Sequence, residues 1–228
     1  MKTVNELSKR LSHEQDFEKK YPEYNERDNK IHVLYIAPCL NGTGFYRMLL
    51  PAMELNKTDS HAAIVTNIHR WDFNKQMDDY DSPIDERLIE WADYVVLPSM
   101  LTDSSYIMKS MKEINSDLIF VMDLDCNYHA IPEDHPNYKK ISNENKSTLL
   151  ANLSQMDIIT VACDGLMDYY EDLMGKHYID SRAYLEYLPN LISRFGFEEV
   201  TAIKKNFSGK LRIGIIGNSG YAEDILSI

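Results

Sequence analysis

Short apolar runs and amphipathic stretches alternate along this chain. Residues 31–37 (Ile-His-Val-Leu-Tyr-Ile-Ala), 62–66, 94–97, 118–122 and 158–161 are β-branched or aliphatic runs of strand length, and a further short strand precedes Pro189. Between them, residues 45–56, 83–91, 103–114, 143–154 and 164–174 carry apolar positions at helical spacing. Several strands are continuously apolar rather than alternating, as burial on both faces of a parallel sheet requires. The pattern predicts an α/β fold: a doubly wound, mainly parallel, Rossmann-like sheet.

The same pattern divides the chain into three parts. Residues 1–29 read as a polar helical N-terminal appendage outside the sheet, of the kind that serves as a partner-binding arm. Residues 30–206 are the Rossmann-like domain, longer than the common domain size of roughly 100–150 residues but within reach of one α/β core. In residues 207–228 the run from Leu211 to Ile216 leads into the turn cluster Gly217-Asn218-Ser219-Gly220 and a helical start at Tyr221. That is the first third of a nucleotide-type βαβ unit. It predicts a truncated second domain with no core of its own, docked on the first domain, frayed or paired with another molecule.

Composition narrows the function classes. The net charge of −12 argues against a general nucleic-acid surface, which needs clustered Lys and Arg. No stretch approaches the ~20 apolar residues of a membrane span, the first 29 residues lack a signal-peptide core, and no basic amphipathic helix supports membrane association. A cytoplasmic location is the expectation. Cys39, Cys126 and Cys163 share no metal-ligand spacing and each follows a predicted strand, so they read as plain thiols.

In a parallel sheet ligands sit beyond the carboxyl ends of the strands, which gives three loops functional weight. The first is Gly42-Thr43-Gly44-Phe45-Tyr46-Arg47. It is either a backbone cradle for an anion at a helix N-terminus or simply a tight turn into a helix. Arg47 early in that helix opposes the macrodipole and therefore predicts an anionic partner or a buried carboxylate. The second loop opens with Asp123-Leu124-Asp125 and continues through Tyr128, His129 and His135. Three readings stand: divalent-cation ligation, sugar-hydroxyl recognition or acid–base work, and a solvated acidic loop. Asp125 and His129 are the acid–base candidates, because Asp123 directly follows the apolar strand. The third loop carries Asp164, placed to cap the helix after the fifth strand.

Taken in order, these pieces resemble one family. Gly42-x-Gly44-x-Tyr46-Arg47-x-x-x-Pro51, Ala92-Asp93-Tyr-Val-Val, Asp123-x-Asp125 with Ile131-Pro132, Asp157-Ile-Ile-Thr-Val-x-Cys-Asp-Gly-Leu, Leu188-Pro189-Asn190, and Leu211-Arg-Ile-Gly-Ile-Ile-Gly are similar to a GT-B glycosyltransferase. The resemblance covers about residues 30–228. It implies an N-terminal, acceptor-side domain closed by Leu-Pro-Asn and followed by the opening of a nucleotide-sugar domain. It further implies metal-independent transfer from a nucleotide-sugar donor to a glycan or glycoconjugate acceptor, without a cofactor. Gly42, Thr43, Gly44, Tyr46, Arg47, Asp123 and Asp164 would then line the donor-diphosphate and acceptor cleft. The donor-binding groups of the second half are missing, so this polypeptide alone is expected to be inactive. Two alternatives compete: a metal-dependent GT-A transferase using Asp123 and Asp125, and a noncatalytic sugar-binding or scaffold module.

Overall fold

The computed structural model describes residues 2–25, 29–40, 42–67, 84–133, 135, 138–176 and 183–190. Its centre is a six-stranded parallel sheet in the order β2-β1-β3-β4-β5-β6. The strands are β1 (Ile31–Ala37), β2 (His61–Asn67), β3 (Tyr94–Pro98), β4 (Ile119–Leu124), β5 (Ile158–Val161) and β6 (Tyr184–Tyr187). The first helical stretch after β1 runs as a π-helix, Gly44–Leu49, into α3 (Leu50–Leu55); α4 (Glu86–Trp91), α5 (Ser105–Ile114), α6 (Asn143–Leu153) and α7 (Asp164–Lys176) link the later strands. The continuous apolar runs are buried as their pattern demands, β1 from His32 onward and β4 from Phe120 onward. The chain is α/β and Rossmann-like.

Strand order fixes where a ligand site can lie. From β1 the chain first steps to β2 and then crosses back over β1 to β3, so the direction of winding reverses between β1 and β3. That reversal opens a crevice at the carboxyl ends of those two strands. The register sets what lines it: Pro98 is level with Asp123, and Asp123 is level with Thr160.

At the opposite end of the sheet a repeated device starts the strands. Asp93 precedes β3 and its carboxylate accepts the backbone N–H of His32 at 2.8 Å; Asp157 precedes β5 and accepts that of Phe120 at 2.8 Å. Their own backbone N–H groups donate back to the His32 and Phe120 carbonyls. Each aspartate thus satisfies a strand-entry donor that no ladder partner reaches.

The helix limits shift for local reasons. α5 begins at Ser105, two residues later than its pattern suggests, because the Asp103 carboxylate accepts from both the backbone N–H and the hydroxyl of Ser105. α4 begins at Glu86 after Asp85, whose carboxylate caps the Arg87 N–H. The N-terminal helices α1 (Lys2–His13) and α2 (Phe17–Lys20) lie outside the sheet but share its core: Leu7, Leu11 and Tyr21 are buried, and the Tyr21 hydroxyl bonds Thr66 of β2 at 3.0 Å. The expectations for residues 191–228, including the strand at 211–216, fall outside the described residues.

Candidate functional site

The loop after β1 meets the end of β4 through two parallel contacts. On the helix side stand Thr43 and Arg47, four residues apart and so on one face; on the strand side stand Asp123, in β4, and Asp125, just past its end. Arg47 and Asp123 form the inner contact. Nε donates to Asp123 Oδ2 at 2.8 Å and Nη2 to Oδ1 at 2.5 Å, with the two residues only 4% and 3% exposed. Arg47 Nη1 also donates to the Leu188 carbonyl at 2.6 Å and to Asn190 Oδ1 at 3.2 Å, and the Thr160 hydroxyl donates to Asp123 Oδ1 at 2.6 Å. Of the two partners anticipated for Arg47, the structure supplies the buried carboxylate. A bidentate, fully hydrogen-bonded pair is the arrangement in which two buried charges are tolerable.

Thr43 and Asp125 form the outer contact. The Thr43 hydroxyl donates to Asp125 Oδ2 at 2.6 Å, and both residues are half-buried. Asp125 Oδ1 receives a longer contact, 3.4 Å, from the Tyr128 hydroxyl. Burial first, and the Asp125 charge next, push the Tyr128 phenol well above its usual value, so it stays a donor. Ser99, just beyond β3, donates to the Asp123 carbonyl at 2.8 Å and completes the wall at the winding reversal. Tyr35, under the inner pair, is pushed up to about 12 by burial and then by the Asp123 charge, against the opposing effect of Arg47.

The two glycines do different things. Gly42 has φ of +49° and open space where a Cβ would be, so it serves the turn. Gly44 presses on the chain itself: a Cβ there would lie 1.6 Å from the Cys39 carbonyl oxygen. That contact seats the first turn of the π-helix against the end of β1. Single π-turns of this sort concentrate at functional sites. Tyr46, on the same turn, is 56% exposed.

The other anticipated residues divide. His129 has Nδ1 at 3.3 Å from the Tyr170 hydroxyl and Nε2 at 3.0 Å from the Lys146 carbonyl, while Lys146 Nζ donates to the His129 carbonyl at 3.2 Å. Both ring nitrogens are engaged in tying the loop to α6 and α7. Asp164 is the first residue of α7 and exposed; the Cys163 carbonyl, one residue earlier, accepts the first helical N–H groups. Desolvation of its sulfur pushes the Cys126 thiol up to about 11 against the lowering effect of the Tyr128 hydrogen bond, although the residue as a whole is exposed.

Asp123 and Asp125 are two apart in sequence but engage different partners. Asp123 is committed to Arg47 and Thr160, which leaves the pair unsuited to chelate a cation together. Among the described residues no group of three or more His, Cys, Asp or Glu side chains is placed to hold a metal ion. No described helix is long and apolar enough to cross a membrane. Ser99 and Tyr35 are not singled out by the sequence pattern; the rule that weights strand ends at a winding reversal points to Ser99 once the strand order is known. Comparison with protein families, curated proteins and solved structures gives no match for this chain.

Proposed function

We propose that the domain of residues 30–206 is the acceptor-side half of a GT-B glycosyltransferase, with Asp125 as the base that takes the acceptor hydroxyl's proton. One observation carries this reading. Four separated pieces that make the sequence resemble the family share a single hydrogen-bonded knot at the winding reversal: Arg47, Asp123, Thr160 of Asp157-Ile-Ile-Thr, and Leu188 with Asn190. Asp125 stands at the half-exposed margin of that knot, with Oδ2 fixed by Thr43 and Oδ1 turned to the weaker Tyr128 contact.

The chemistry follows from that placement. The acceptor oxygen attacks the anomeric carbon of the donor, the bond from that carbon to the phosphate oxygen breaks, and the nucleotide (a nucleoside diphosphate from UDP- or GDP-sugars, CMP from CMP-sugars) leaves with the electron pair. The hydroxyl proton passes to Asp125, for which the oxygen must come within about 2.6–3.2 Å of the carboxylate. His129, held at both nitrogens, serves to position the loop that carries Asp125.

The test uses the protein expressed from its full open reading frame, screened for turnover of UDP-, GDP- and CMP-sugars. Asp125→Asn is expected to lower kcat by about 100-fold or more while donor Kd stays within about twofold. Absence of both donor binding and donor turnover across the screen overturns the reading, and glycan binding without turnover replaces it with a noncatalytic module.

A further inference from the structure

Two of the three cysteines come to matching positions at the strand-exit end of the sheet. β4 and β5 are parallel neighbours in which Asp123 is level with Thr160 and Leu124 with Val161. Level residues share a face, as the 2.6 Å bond from the Thr160 hydroxyl to Asp123 shows. Cys126 stands two residues beyond Leu124, and Cys163 two beyond Val161. Neighbouring strands run ~4.8 Å apart, within the roughly 4.4–6.8 Å that separates the Cα atoms of a disulfide.

α7 engages both chain segments. It begins at Asp164, directly after Cys163, whose carbonyl accepts the Leu166 and Met167 N–H groups. The loop that follows Cys126 is bound to the same helix, with His129 Nδ1 at 3.3 Å from the Tyr170 hydroxyl. Burial first, and the Cys126 charge next, push the Tyr170 phenol above its usual value, in keeping with a sulfur close to that hydroxyl. Cys126 and Cys163 are both exposed free thiols, open to a reagent from solvent. Cys39 differs: it follows β1, which β3 separates from β4, so strand spacing sets it ~10 Å from the β4 exit.

We infer that Cys126 and Cys163 form a thiol–disulfide site, closed reversibly by exchange with a small-molecule disulfide such as oxidised glutathione. The site goes beyond the transferase reading and stands without it. The Cys163 thiolate attacks one sulfur of the small disulfide, whose S–S bond breaks and whose other half leaves as a thiol, taking the proton that Cys163 gave up. Cys126 then loses its proton and attacks the Cys163 sulfur, and the second half leaves as a thiol with that proton. Two protein thiols are oxidised and one small disulfide is reduced to two thiols. Cys126 acts second because desolvation holds its thiol at about 11, against the Tyr128 hydrogen bond. Closure joins the loop that carries Asp125 to the start of α7.

The experiment incubates the reduced full chain with oxidised glutathione and reads intact mass and non-reducing peptide maps. The expected product is a monomer lighter by two hydrogens, with the Cys126 and Cys163 peptides joined, no glutathione retained, and full return on dithiothreitol. In urea, Cys126 should prefer Cys163 over Cys39 by only about fourfold, as separations of 37 and 87 residues give through loop closure alone. In the folded chain that preference is expected to be greater by about tenfold or more, since the sheet presents one pair and parts the other. Cys126→Ser is expected to stop the reaction at a glutathione adduct on Cys163, and closure in the unaltered chain to speed up as pH rises toward 11. A lasting glutathione adduct in the unaltered chain, a bridge to Cys39, a bridge between two molecules, or no reaction overturns the inference. So does a preference that urea leaves unchanged.

Discussion

Both ends of the sheet carry a pair of aspartates, and the two pairs do unlike work. At the strand-entry end Asp93 and Asp157 each sit just before a strand and accept a backbone N–H of the neighbouring one. At the strand-exit end Asp123 and Asp125 engage side chains across a loop, one deep against Arg47 and one shallow against Thr43. The first pair holds the ladder together; the second ties the helical stretch after β1 to the end of β4. Residue type is the same throughout, so position relative to the direction of the strands decides whether a carboxylate meets a neighbouring strand's backbone N–H or the side chains of a loop.

The sharpest way to break this comparison is to remove the deep partner. Arg47→Met leaves Asp123 buried without a counter-charge and is expected to cost about 3–5 kcal/mol in urea unfolding, part of which returns in Arg47→Met with Asp123→Leu. A loss below about 1 kcal/mol in the single variant would contradict the inner contact. Gly44→Ala drives a Cβ into the Cys39 carbonyl, and a loss near the upper end of the roughly 1–3 kcal/mol range for overpacking is expected, read as a fall in melting temperature.

Alkaline pH sharpens the comparison from beneath the inner pair. Unfolded Tyr35 ionises near 10, whereas in the folded chain it ionises near 12. The folded state therefore binds the proton more tightly, and stability from this group is intact below pH 10 and falls as pH rises through 12. The decline is expected to be roughly 2–3 kcal/mol, and Tyr35→Phe should flatten that portion of the profile measured by denaturant unfolding.

Smaller effects separate the two ends directly. Asp93→Ala and Asp157→Ala are each expected to cost about 1–2 kcal/mol, because each strands a buried backbone donor, and to leave donor turnover unchanged. Asp125→Asn is expected to do the reverse, costing less than about 1 kcal/mol at its half-exposed position while lowering donor turnover. Identical outcomes for all three variants would erase the distinction between the ends.

How much of this was legible in the sequence depended on how local each cause was. β5 falls on residues 158–161 as its apolar run predicts, since a short run bounded by polar residues defines its own limits. The helical stretch after β1 was legible from its apolar face. Its π-turn was not, because that turn depends on Gly44 lying against Cys39 and on Arg47 reaching a carboxylate 76 positions away. Arg47 announced itself as a cation at the wrong end of a helix, and the sequence left an external anion and an internal carboxylate equally open. For His129 the decisive neighbours are Tyr170 and Lys146 on two later helices, which loop composition cannot reveal.

The Arg47 knot also has an order in time. Asp123 follows Arg47 by 76 residues and Leu188 follows it by 141. At synthesis rates of roughly 5–20 residues per second, Arg47 waits about 4–15 s for its carboxylate and about 7–28 s for the Leu188 carbonyl. The nascent chain can therefore neutralise its buried charge while β5 and β6 are still unmade. The bond to Leu188 closes only after the last described strand has been added, which makes it the contact that registers the sheet as finished.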